Sequence, residues 1–207
     1  MKRLAIFIFS SFLIVLQAYS QTYILNEDFS GTSGTNPPSG WTNSVVSGVG
    51  SDLWHFDNPG DRPVGFPVLE PFAIFDSEII SGNDQPEEAL LESPSFDASA
   101  SNFILLQIDH IFEPGAGATG RIEAYDGSDW QEVISFTASI PGATSELVDL
   151  SPSIGGLTNA KLRFIWSGNS SGYWAIDNIR IYASLALDGG VVSIDHPVTP
   201  VSPGNQQ

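Results

Sequence analysis

The stretch from Tyr173 to Tyr182, read Tyr-Trp-Ala-Ile-Asp-Asn-Ile-Arg-Ile-Tyr, constrains the fold more than any other part of the chain. Its β-branched and aromatic content predicts a strand. Alternate side chains of a strand point to opposite faces. Unbroken alternation places Ala175, Asp177, Ile179 and Ile181 on one face, and Trp174, Ile176, Asn178, Arg180 and Tyr182 on the other. Asp177 then stands in an apolar row, where a carboxylate is costly unless it is paired, hydrogen-bonded or bound to a metal. Near the start of the chain the same parity puts Glu27 in a row with Tyr23, Leu25 and Phe29. Two acidic intrusions at opposite ends of one domain are expected if the first and last strands meet around a hard cation. The alternative is that each carboxylate accepts backbone N–H groups at a strand end.

The N-terminal segment reads as a signal peptide. Met1-Lys2-Arg3 is basic, residues 4–16 are apolar but too short to span a bilayer, and Ala18-Tyr19-Ser20 supplies small residues for cleavage after Ser20. The expected organisation is a leader over residues 1–20, one β domain over 21–183, and a linker with the start of a second β module over 184–207. Export to the cell surface or medium follows, and the absence of cysteine means that no disulfide supports the fold. Without Lys2 and Arg3, 5 basic residues face 24 acidic ones, a formal charge of −19. That field disfavours nucleic acid and anionic lipid as partners and attracts divalent cations.

Short apolar or alternating runs separated by Gly- and Pro-rich loops predict strands near residues 21–29, 41–46, 53–56, 72–75, 89–94, 103–112, 121–125, 130–136, 146–150 and 161–166. Asp126-Gly127-Ser128-Asp129 is a hairpin signal. Residues 72–75 are apolar on both faces, as expected of a strand buried on both sides. Ile104, Leu106, Ile108 and Phe112 share a face with His110. No long segment has helical periodicity. The class is all-β, and many short strands predict a two-sheet antiparallel sandwich.

Several pieces together resemble a known family: Asn26-Glu27-Asp28-Phe29, Pro38-Ser39-Gly40-Trp41, Leu53-Trp54, Leu90-Leu91-Glu92-Ser93-Pro94, Tyr125-Asp126-Gly127-Ser128-Asp129-Trp130 and Trp174-Ala175-Ile176-Asp177-Asn178-Ile179. In order and spacing they are similar to the cleaved-adhesin, MAM-like and choice-of-anchor jelly-roll domains of secreted bacterial proteins. The resemblance implies a jelly roll whose first and last strands pair, often with a structural calcium. Carried over by position, the ligands are Glu27, Asp28 and Asp177, with Asp76 as a further acidic residue. Asn178 stands where many members have a second acid. The residues Leu187 to Ile194 resemble the opening of an immunoglobulin-like adhesion module, as expected in a long surface protein exported by the type IX route.

Catalytic signals are sparse. His55, His110 and His196 are scattered, and Asp109 and His110 face opposite ways on one strand, so they form no dyad. His110 is expected near the core with one hydrogen bond. No nucleophile elbow, zinc-binding helix or phosphate loop is present in the sequence. Trp54, beside a long loop, and Trp130, after a hairpin turn, are the aromatics expected to be exposed and able to stack on sugars; the alternative is that they pack in the core. The sequence thus predicts a non-catalytic, calcium-stabilised adhesion or interaction module, taking an extracellular protein or glycan as partner. A carbohydrate-binding module that targets an attached hydrolase is the other reading.

Overall fold

A computed structural model describes residues 23–80 and 85–183. The expected leader over 1–20 and module start over 184–207 lie outside the described residues. Among the described residues, ten strands form two antiparallel sheets. The first sheet holds β1 (Tyr23–Glu27), β3 (Ala73–Asp76), β5 (Ile104–Pro114), β8 (Thr144–Asp149) and β10 (Gly172–Ala183), in the order β1-β10-β5-β8 with β3 also on β10. The second holds β2 (Thr42–Ser47), β4 (Glu87–Glu92), β6 (Thr119–Tyr125), β7 (Trp130–Phe136) and β9 (Lys161–Gly168), in the order β2-β4-β9-β6-β7. Two short helices, α1 (Ser77–Ile80) and α2 (Ser151–Ile154), interrupt the strands. The structure therefore has the predicted jelly-roll sandwich architecture. The run 53–56 is not a full strand: it contributes one bridge, His55 to Ile74.

Between the sheets lies an aromatic core. Trp54, Trp166, Trp174, Phe75, Phe112 and Phe164 are fully buried. The Trp174 ring meets those of Trp54, Phe136, Phe112 and Phe164 at centroid distances of 5.6, 5.7, 5.8 and 6.2 Å. Contacts of this kind add to the large apolar area such rings remove from water. Alternation works as expected in β5, where Ile104, Leu106, Ile108, His110 and Phe112 all point inward. A second, smaller cluster lies on the other side of the first sheet. There Val68 and Phe72 pack down on Ile74, Ile111, Tyr173 and Ala175, so the loop over residues 57–72 covers that face.

In β10 the predicted parity fails, for an identifiable reason. The register with β5 shifts between Asp177 and Arg180, and Asn178 adopts φ +50°. Asn is one of the few residues that visits this left-handed conformation readily. The bulge moves the strand by one residue. Trp174 and Ile176 face the main core before it, and Ile179 and Ile181 face the same core after it. Asp177 is consequently not in the row of Ile179 and Ile181; it shares the outer face with Tyr173 and Ala175.

His110 is buried, and Trp174 Nε1 donates to its Nδ1 at 3.3 Å. Burial pulls its pKa down to about 4, against a partial offset from Asp109. The unfolded chain takes up this proton near pH 6.5 and the folded chain only near pH 4, so falling pH favours unfolding across that window. Full charging costs about 3 kcal/mol of stability. Melting temperatures of the wild type and His110→Gln should converge as pH drops from 7 to 4. Parallel pH profiles for the two proteins would contradict this account.

Candidate functional site

The first and last strands do meet. β1 pairs with β10, Glu27 opposite Ile179 and Asn26 opposite Arg180. Glu27 Oε1 accepts the Phe29 N–H at 2.8 Å. Burial raises the pKa of Glu27, helped by the neighbouring charge of Asp28, while bonds from Phe29 and the Trp41 side chain act the other way. With Ser30, Thr32, Ser33, Asn36 and Ser39, Glu27 lines a hollow rich in oxygen atoms.

Asp177 sits in a different setting. Its Oδ1 accepts the Asn178 N–H at 2.7 Å, and its Oδ2 accepts Leu69 N–H and Asn178 Nδ2, each at 3.1 Å. Burial raises its pKa first; Asp109 and Asp28 add repulsion. Asp109 lies directly opposite on β5 and receives a hydrogen bond from Ser145 Oγ. Arg180 bridges this group, donating to Asn178 Oδ1 at 2.8 Å and standing 3.9 Å from Asp109 Oδ2. Its charge also lowers the pKa of exposed Asp28, whose main stabiliser is hydrogen bonding from Ser30. Asp28, Asp109, Asp177 and Arg180 thus form one electrostatic cluster, while Glu27 faces the adjacent hollow. Among the described residues, no group of three or more acidic, His or Cys side chains converges as metal ligands do. The sequence reading missed Asp109 and Arg180. Their proximity comes from strand register and has no local signature.

Asp76 does not join the cluster. It is fully buried at the end of β3, opposite Tyr173, four residues along β10 from Asp177 and so about 13 Å away. Arg62 grips both of its oxygens, Nε to Oδ2 and Nη2 to Oδ1, each at 2.7 Å. The same guanidinium reaches Glu78 at 2.6 Å and lies 5.0 Å from the Tyr173 ring centre. The expectation that Asp76 is a metal ligand is corrected to a buried ion pair.

Trp54 is likewise corrected. It is fully buried against Phe75 and Trp174, because the 53–56 run is pinned inward by its bridge to β3. It presents no surface to a sugar. Trp130 does lie at the surface, half-buried on the outer face of the second sheet. The Tyr125 ring is 5.4 Å from it, and the Arg163 guanidinium lies 4.2 Å over it. From there a ladder of charge crosses the sheet. Arg163 donates to Glu123 at 2.7 Å, Arg121 lies 3.6 Å from Glu123 and 3.3 Å from Glu88, and Lys161 donates to Glu92 at 2.8 Å. Three of the five basic residues after position 20 are gathered on this face.

Removing Arg62 leaves Asp76 charged and buried with its main partner gone. Arg62→Ala should cost on the order of 3–5 kcal/mol in urea unfolding. Glu78→Ala removes a half-exposed partner and should cost under about 1 kcal/mol. Equal effects would contradict the assignment.

No family model matches the chain, and no curated protein matches it in sequence. Solved structures do. The K3 cleaved adhesin domain of Lys-gingipain from Porphyromonas gingivalis aligns with a TM-score of 0.57 at 17% identity, over 79% of this chain and 100% of that one. The K1 domain of the same protein gives 0.57 at 18%, over 78% and 98%. TmCBM61, solved in complex with β-1,4-galactotriose, gives 0.51 at 16%, over 80% and 100%. The fold is therefore the one that the sequence resemblance implied, that of the cleaved adhesin domains.

Proposed function

We propose that this chain is a non-catalytic adhesion module of an exported, multidomain surface protein, and that it binds protein partners through the outer face of β2-β4-β9-β6-β7. The carrying observation is the contrast between the two outer faces. The first sheet is covered by the 57–72 loop. The second presents Trp130, Tyr125 and a ladder of paired charges. Arg and aromatic groups are the residues that most often dominate binding energy at protein interfaces, and charge arrays select partners by complementarity. The fold shared with the gingipain adhesin domains supports the same reading. In surface binding to a panel of extracellular proteins, Arg121→Ser/Arg163→Ser should weaken capture at least about tenfold, the size expected for loss of interface arginines. Capture indifferent to this change, or turnover of a substrate, would sink the proposal.

A glycan ligand is the second reading, favoured by Trp130 and Tyr125 on an open sheet face and by the likeness to TmCBM61. Retention on a polysaccharide column that is lost in Trp130→Ala would favour it over a protein partner.

The module is also proposed to be stabilised by calcium at Glu27, with Asp28 and Asp177 supplying nearby negative charge. The support is chemical: Glu27 fronts a hollow lined by Ser, Thr and Asn oxygens, the donor type that calcium takes. Asp177 is already engaged by N–H groups, so its part is electrostatic. Because burial raises both pKa values, these groups favour the fold most below their ordinary range, near pH 4. That contribution fades as pH rises through the raised values, and a bound cation offsets the loss. Calcium should therefore raise the melting temperature over chelator at pH 7, and much less at pH 4. Glu27→Gln should abolish the part of the rise due to this site.

A further inference from the structure

Two carboxylates at the far end of β2 have no counter-charge among the described residues. Asp52 and Glu87 are 1% and 2% exposed, and neither is ion-paired with a described Lys, Arg or His. Glu87 opens β4 and heads its inward row, with Ala89 and Leu91 behind it. Gly48, just past β2, brings the two acids together. A methyl group built on Gly48 would stand 2.4 Å from Asp52 Oδ2 and 3.4 Å from Glu87 Cβ, so only glycine leaves room for the carboxylate beside β4.

One oxygen of each acid is held. Asp52 Oδ2 accepts the Val49 N–H at 2.7 Å. Glu87 Oε1 accepts Trp166 Nε1 at 3.1 Å and a hydrogen bond from Ser77 Oγ. The other oxygen of each, Asp52 Oδ1 and Glu87 Oε2, is buried with no hydrogen-bond partner. A buried polar atom without a partner is costly, and a buried charge far more so. Two such atoms, on acids that both flank Gly48, call for a ligand that supplies positive charge.

We propose that Asp52 and Glu87 form a divalent cation site, suited to calcium, separate from the site at Glu27. The two carboxylates match a double positive charge, and both are the hard oxygen donors that calcium prefers. Ser77, Trp166 and the Val49 amide orient the ligands. The site closes the loop between β2 and the bridge at His55 onto the start of β4. It lies one strand length, roughly 20 Å, from the Trp41 end of β2, where Glu27 sits.

Terbium, which stands in for calcium, tests this directly, because it luminesces when an excited tryptophan is near and Trp166 touches Glu87. Wild-type protein should give tryptophan-sensitised emission that calcium displaces. The emission should persist in Glu27→Gln/Asp177→Asn, where the site beside Trp41 is removed, and vanish when Asp52→Asn/Glu87→Gln is added to that protein. In melting experiments, calcium should raise the wild-type midpoint by roughly 5 °C or more over chelator. The Asp52→Asn/Glu87→Gln protein should lose most of the rise that remains in Glu27→Gln, while melting in chelator no lower than wild type. Absence of sensitised emission from the wild type would overturn the site. So would an undiminished calcium response in the Asp52/Glu87 variant. Asp52→Asn alone serves if the double variant does not fold.

Discussion

The structure depends on β10. One long strand is paired along its whole length with β5 on one side, and on its other side with β3 at its start and β1 at its end. Every group that makes up the terminal cluster is placed by these pairings. Asp177 faces Asp109 across the β5 ladder, Arg180 meets the same ladder past the bulge, and Glu27 reaches its position by pairing β1 so that it stands opposite Ile179, beside the bulge. The bulge at Asn178 lets this strand serve two cores. Its first half gives Tyr173 and Ala175 to the outer cluster and Trp174 and Ile176 to the inner one, and its second half keeps Ile179 and Ile181 inside.

Positive charge is scarce in the molecule, and its allocation organises the rest. Arg62 holds Asp76, Arg180 serves Asp109 and Asn178, and Arg121, Lys161 and Arg163 form the ladder on the second sheet. Each of these cations lies at or near the surface, where its own desolvation is modest. Backbone amides and hydroxyls neutralise much of what remains, as at Asp177 and Glu87. Such donors share a carboxylate's charge without cancelling it. A strongly acidic chain folded in this way relies on its hydrogen-bond donors being in register.

Most of the fold was legible because alternation is a local property. In β5 and β9 the inward rows Ile104 to Phe112 and Leu162 to Trp166 can be read two residues at a time. The Asp126–Asp129 turn was legible for the same reason, since Asp126 closes its own loop by accepting the N–H groups of Ser128 and Asp129. What escaped was non-local. Asn178 shifts the parity of β10 through one backbone angle, which alternation cannot register, although Asn after Asp is a residue type suited to it. Arg62 finds Asp76 from fourteen residues away through a folded loop. Trp54 is drawn inward by a single bridge that no pattern in 53–56 announces. The pairing of chain ends is legible from Glu27 and Asp177, but the row in which Asp177 stands is that of Tyr173 and Ala175, not that of Ile179 and Ile181.

The antiparallel pairing of β1 and β10 has a mechanical consequence. Tyr23 and Tyr182 pair at the open end of the ladder, their rings 6.3 Å apart, so the polypeptide enters and leaves the domain at a single point. Tension applied between Tyr23 and Tyr182 would load the β1–β10 hydrogen bonds one at a time, as a zipper is drawn, and not all together in shear. A domain held by these two ends sits to the side of the line of force. It yields first by peeling a five-residue strand, with the aromatic interior left intact behind it.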